Sequence, residues 1–217
     1  MNALLIPVVL LVALMVRPAD PPLRVMLLVD ISGSTIRGQA FFGSPRMMRT
    51  LDVTLMTEAV DAIEPALGKD EELVLGAVSE VPRMTTGPVR GPSLRSTASE
   101  LASQFGGRSP LWDALYHAAG RLEETSGPRV IILVTDGRSN GNERSFAEAV
   151  QRLKAADVRV VTVAREVGRR KPDPDPYDRL RQLASVTGGE HLTFTPGRLD
   201  EALLRAMQLA RRTPAGR

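Results

Sequence analysis

Strand-length apolar runs that stop abruptly at polar residues, separated by segments of helical periodicity, constrain this chain more than any other feature. "LRVMLLVD" (23–30), "RVIILVTD" (129–136) and "VRVVTVA" (158–164) are almost continuously apolar. Such runs suit central strands covered on both faces, because a strand with one wet face would alternate apolar and polar residues. Between the first two, Leu51, Leu55, Ala59, Ala62 and Ile63 recur at helical spacing after a Ser44-Pro45 start, which predicts a helix reaching about Leu67. "ELVLGAV" (72–78) reads as another strand, and "VPRMTTGPV" (81–89) as a short edge strand pairing with it, where Pro82 is tolerated.

Leu94, Ala98, Leu101 and Phe105 mark a helix stopped by Gly106-Gly107, and Ser109-Pro110 opens another that carries Leu111, Leu115, Ala118 and Leu122. Phe146, Val150 and Leu153 mark a further helix, and others are expected near 180–186 and over 198–212, with a last strand at "GEHLTF" (189–194). Strands alternating with helices imply an α/β fold: a doubly wound, mostly parallel central sheet with one antiparallel edge strand and helices on both faces. In such sheets ligands bind beyond the carboxyl ends of the strands, where crossovers diverge to opposite faces. Asp30 and Asp136 both lie at such ends.

With 217 residues the chain suits a single domain, expected over 23–213 with a short tail at 214–217. Residues 3–16, "ALLIPVVLLVALMV", carry no charge and are followed by Arg17, Pro18 and the Pro21-Pro22 pair. That stretch is short for a membrane span, which needs about 20 residues, and matches the apolar region of a signal peptide. Residues 1–22 are therefore expected to be a signal peptide or an N-terminal membrane anchor with a short linker, placing the domain in the periplasm, outside the cell or tethered to a membrane. The 28 basic residues against 25 acidic give a net charge of only +3 and are scattered, so no nucleic-acid footprint emerges. Cysteine is absent, which removes disulfides, thiolate metal ligands and cysteine nucleophiles.

The chemistry concentrates where the first strand ends. In "DISGST", Asp30, Ser32 and Ser34 are spaced two apart, so in an extended segment their oxygens converge on one point. Three hard oxygens suit magnesium, which takes about six oxygen ligands and keeps waters where protein ligands are missing. Taken singly, each residue also fits a turn or a cap. Catalytic readings lack parts. A serine hydrolase needs a histidine base, and His117 lies off the apolar stripe of its helix while His191 alternates with Leu192 and Phe194, so both are expected to face solvent. Ser32 stands where an Asp-x-Asp phosphatase needs its second carboxylate, and no glycine-rich phosphate loop with lysine is present. Asp113, near a helix start, suits the helix dipole.

"DISGST" resembles the Asp-x-Ser-x-Ser motif of the von Willebrand factor type A domain, and three further stretches follow that family's pattern in order. "SPLWDAL" (109–115) matches its Thr-x-Leu-x-Asp-Ala-Leu segment with serine in place of threonine, "LVTDG" (133–137) its second aspartate, and "LASVTGGEHLTF" (183–194) its last-strand entry. The resemblance covers roughly residues 24–212. It implies a metal-ion-dependent adhesion site in which Ser32, Ser34 and Ser109 offer hydroxyls and Asp30 and Asp136 act directly or through water. The expected metal is Mg2+, with Mn2+ or Ca2+ as alternatives, and its last ligand would be an Asp or Glu side chain of a protein partner. The implied activity is binding, with no covalent chemistry. The alternative reading is a structural or regulatory subunit of a larger assembly with a vestigial metal site. Ser109 lacks the threonine methyl that restricts rotation, so it is expected to be less preorganised. The loop "IRGQAFFGSPR" (36–46) is longer than typical, and of Phe41 and Phe42 on it one is expected to tuck against the domain, with contact to a partner at the metal face as the alternative.

Overall fold

A computed structural model of the chain describes residues 21–32, 45–103, 107–166 and 177–212, with the backbone alone for 45–53. Ser34, Phe41, Phe42, Phe105 and the apolar segment 3–16 lie outside the described residues. Six strands form one sheet: β1 (Leu23–Asp30), β2 (Glu71–Val78), β3 (Arg83–Met84), β4 (Arg129–Thr135), β5 (Val158–Arg165) and β6 (His191–Phe194). Their order is β3-β2-β1-β4-β5-β6. Only β3 runs antiparallel, against β2, as the sequence predicts. Among the described residues six α-helices accompany the sheet: α1 (Pro45–Ile63), α2 (Ser93–Ala102), α3 (Leu111–Glu123), α4 (Phe146–Ala155), α5 (Tyr177–Val186) and α6 (Leu199–Arg211).

β1 sits at the centre, with Leu27 opposite Leu75 on one side and Ile132 on the other. Its alternate side chains serve two separate cores. Val25, Leu27 and Val29 pack with residues of α1, α2 and α6, while Met26 and Leu28 pack with α3, α4 and α5. That two-sided burial explains why the run reads as continuously apolar. It also fixes the site's position: from β1 the chain crosses to β2 on one side, and β4 flanks it on the other, so the carboxyl ends of β1 and β4 border the crevice where crossovers diverge.

Two of the differences from the expected boundaries arise at prolines. The first helix stops at Ile63 and gives way to a 3-10 turn over Glu64–Ala66, because Pro65 has no N–H for the α-helical ladder. The edge strand shrinks to two residues, since Pro82 and Pro88 cannot donate to β2. Beyond β3 the chain stays alongside through Thr85 N–H to the Leu75 carbonyl (2.9 Å) and Val89 N–H to the Leu73 carbonyl (2.8 Å). The Thr85 hydroxyl replaces one ladder acceptor, taking the Leu75 N–H at 3.2 Å. At the other edge Gly189 enters β6 so closely under β5 that a Cβ there would lie 1.9 Å from the Val160 carbonyl oxygen. Only glycine fits.

His191 does not face solvent. Its Nδ1 lies 2.8 Å from the Thr162 hydroxyl and its ring packs 5.7 Å from that of Tyr177. Alternation correctly places it opposite Leu192 and Phe194, but α5 covers that face of β6. His117 is exposed as expected.

The C-terminal helix is tied to the start of β2 by a bidentate pair. Arg211 donates from Nε to Glu71 Oε1 at 2.6 Å and from Nη2 to Oε2 at 2.9 Å, and the Gly68 N–H adds a third bond to Oε2 at 2.7 Å. The hydrogen bond from Arg211 is the main force holding this nearly buried carboxyl below its ordinary pKa. A depressed carboxylate pKa gives stability that is present above the unfolded value and lost as pH falls through the folded one. Glu71→Gln is expected to cost about 1–2 kcal/mol at pH 7. Urea unfolding should show that difference shrinking as pH drops below the ordinary glutamate range.

Candidate metal centre

Asp30 ends the central strand fully buried, with Ser32, Ser109 and Thr135 buried around it. Its Oδ1 accepts the Ser32 N–H at 3.0 Å. Its Oδ2 accepts two hydroxyls, Ser109 Oγ at 3.1 Å and Thr135 Oγ1 at 2.8 Å. The structure thus brings Asp30, Ser32 and Ser109 together from β1, the loop after it and the entry to α3. Asp136, half-buried at the end of β4, acts on Asp30 through its charge and accepts the Arg138 N–H at 3.0 Å. Ser34 is the one predicted ligand outside the described residues.

Burial pushes the Asp30 carboxyl up to about 6, and the neighbouring Asp136 pushes in the same direction. Hydrogen bonds from Ser32 and Thr135 offset part of that rise. Among the described residues, the groups acting on Asp30 are hydroxyls, a backbone N–H and another carboxylate. A buried carboxylate without a cationic partner is costly, and a bound divalent cation would remove the cost. Among the described residues no three of His, Cys, Asp and Glu come together as a metal-binding group. The donors present are thus hydroxyls with two carboxylates, a hard oxygen set that fits magnesium, manganese or calcium.

The loop after β4 holds Ser109 in place. Asn140 makes a reciprocal clamp, accepting the Ser109 N–H on Oδ1 at 3.0 Å while its own N–H donates to the Ser109 carbonyl at 2.9 Å. Ser139 Oγ donates to the same carbonyl at 3.3 Å. Asn142 Oδ1 accepts the Trp112 N–H at 2.8 Å and its Nδ2 donates to Ser139 Oγ at 2.9 Å. Asp113 accepts the N–H groups of Glu143 (2.9 Å) and Arg144 (2.7 Å), closing the loop onto the first turn of α3. Gly137 and Gly141 take φ of +83° and +70° and supply the turns. A capping box between Ser145 and Glu148 then starts α4. The rotational freedom expected of the Ser109 side chain is restrained by its bond to Asp30, while the clamp fixes the backbone that carries it.

Sequence reasoning missed Thr135, Ser139, Asn140 and Asn142. The signal for Thr135 was a lone hydroxyl closing an otherwise apolar strand beside an aspartate. The loop residues carried none beyond ordinary turn composition.

Residues 78–207 match the family model of the von Willebrand factor type A domain, more than half of the chain. The chain belongs to the von Willebrand factor type A family. Members of this family serve as adhesion and protein-interaction modules and commonly bind divalent metals. The matched stretch begins at the end of β2, so Ser109 and Asp136 fall within it, whereas Asp30 and Ser32 precede it. No curated protein matches the sequence. Among solved structures, the pilus adhesin SpaC of Lactobacillus rhamnosus GG in its open conformation superposes with a TM-score of 0.63 at 12% identity, over 89% of this chain. A von Willebrand factor type A protein from Catenulispora acidiphila gives 0.61 at 20% identity over 84%. An aerotolerance-related membrane protein of Bacteroides fragilis gives 0.59 at 14% over 88%. The chain spans 30% of the adhesin's length and 41% of the Catenulispora protein's, but 100% of the Bacteroides one. At these identities the likeness concerns the type A fold.

Proposed function

We propose that this type A domain binds a protein partner through a divalent cation, magnesium foremost, held by Asp30, Ser32, Ser34, Ser109 and Asp136. The observation that carries the reading is the Asp30 carboxylate, buried at the end of the central strand between the hydroxyls of Ser109 and Thr135 and beside a second carboxylate. The cation would supply Lewis acidity toward an incoming oxygen ligand. Asp30 and the hydroxyls fix the floor of the site, and the Asn140 clamp keeps the Ser109 oxygen on it. With few direct carboxylates, the cation retains charge for a partner's Asp or Glu. No covalent chemistry is assigned. Ser34 enters on the spacing of "DISGST" alone. An exported or envelope setting accords with the apolar segment 3–16, and a pilus adhesin and a membrane protein share the fold.

Calorimetric titration of magnesium into the full chain tests this reading. Saturable binding is expected, weakened about tenfold or more in Ser109→Ala, which removes one hydroxyl ligand, and abolished in Asp30→Ala. Binding unchanged in both variants would overturn the site assignment. Partner capture that survives chelator would favour instead the structural or regulatory subunit.

A further inference from the structure

A second recess lies on the same carboxyl edge of the sheet, on the face covered by α1 and α6. This cleft of about 260 Å3 has Leu55, Phe194, Pro196 and Leu199 as apolar walls, with Arg165 and Glu58 as its charged groups. Arg165 ends β5, and its side chain follows Val161 and Val163 onto the face packed with α1 and α6. Its guanidinium Nη1 is buried and has no hydrogen-bond partner among the described residues. Buried donors are nearly always satisfied, and a guanidinium donor left unpaired points to a ligand that completes it.

We propose that this cleft binds a small organic carboxylate with an apolar body, the carboxylate paired with Arg165 and the body against Leu55, Phe194 and Leu199. Charge selects the headgroup, because Arg presents a planar fork that matches a carboxylate in bidentate geometry. Size selects the rest, since the cleft falls just below the roughly 300–1,000 Å3 of drug-sized pockets. The exposed Glu58 on α1 repels a second negative charge, which favours a monocarboxylate over a polyanion. This site is independent of the proposed metal centre.

The test is titration of 4-methylpentanoate into the full chain in the presence of EDTA, so that no cation at the Asp30 centre can capture the carboxylate. Saturable binding is expected, unchanged in Asp30→Asn and weakened about tenfold or more in Arg165→Met. The primary amide of the same acid, tested on the wild-type chain, requires no folded variant and should bind about tenfold or more weakly as well. Absence of saturation, equal binding of acid and amide, or undiminished binding in a folded Arg165→Met chain would each overturn the proposal. Inorganic phosphate binding as tightly as the acid would overturn it too, because the apolar walls would then contribute nothing.

Discussion

Asp30→Asn is expected to stabilise the chain without metal at pH 7 and to abolish its stabilisation by magnesium. The folded carboxyl is pushed up to about 6 from 3.8, chiefly by burial. The folded state therefore holds the Asp30 proton more tightly than the unfolded state does. That proton's contribution is complete below pH 4 and is lost as pH rises through 6, so ionised Asp30 costs roughly 3 kcal/mol at neutral pH. Asparagine has the same shape and no charge. One oxygen can still accept the Ser32 N–H, while the new NH2 requires the Ser109 and Thr135 hydroxyls to turn and accept. Part of the gain is lost in that rearrangement, leaving an expected increase of about 1–3 kcal/mol in EDTA. Urea unfolding from pH 4 to 7 should show the wild-type chain weakening relative to the variant as pH rises, since the other carboxylates titrate alike in both. Magnesium should then raise the wild-type midpoint, more at pH 7 than at pH 5, and leave the variant unmoved. A variant less stable than wild type in EDTA at pH 7 would show that the buried charge is not the cost the site carries.

That a core carboxylate should destabilise its own fold explains why the strand carrying it reads so clearly in the sequence. β1 is braced by β2 and β4 and by a separate apolar core on each face, and those cores made the 23–30 run continuous. Elements buried on both faces are legible because burial alone dictates their composition. Elements decided by a few backbone donors are less so: the short β3 follows from missing N–H groups at Pro82 and Pro88, and α1 ends early at Pro65. His191 shows another limit, since alternation assigns a face but not what covers it, and Tyr177 does. At the site, Asp30 and Ser32 stood out by spacing and Asp136 by its place at a strand end, whereas Ser109 was reached through the resemblance of "SPLWDAL" to the family pattern. Asn140 and Asn142 did not stand out, because their partners lie some thirty residues away in the chain. A polar side chain in a glycine-containing loop looks the same whether it meets water or clamps a helix.

Asp113 separates these two kinds of reasoning by magnitude. Its place in the first turn of α3 suggests a carboxylate serving the helix dipole, worth about 0.3–1 kcal/mol and screened by salt. The structure gives it a larger task, since it is nearly buried and its two oxygens take the Glu143 and Arg144 N–H groups. In Asp113→Asn one of those N–H groups would face an amide NH2, donor against donor, and the side chain could not satisfy both. The expected loss is about 2–3 kcal/mol in urea unfolding, and it should persist in about 1 M NaCl, where the Debye length is near 3 Å. A loss below about 1 kcal/mol that disappears in salt would restore the dipole account. The same loop carries Asn140 and Ser139, which grip Ser109, so loosening it should also weaken magnesium binding several-fold although Asp113 is not itself among the proposed ligands. Unchanged magnesium affinity in a folded Asp113→Asn chain would mean that the bond from Ser109 to Asp30 orients the hydroxyl without help from the loop.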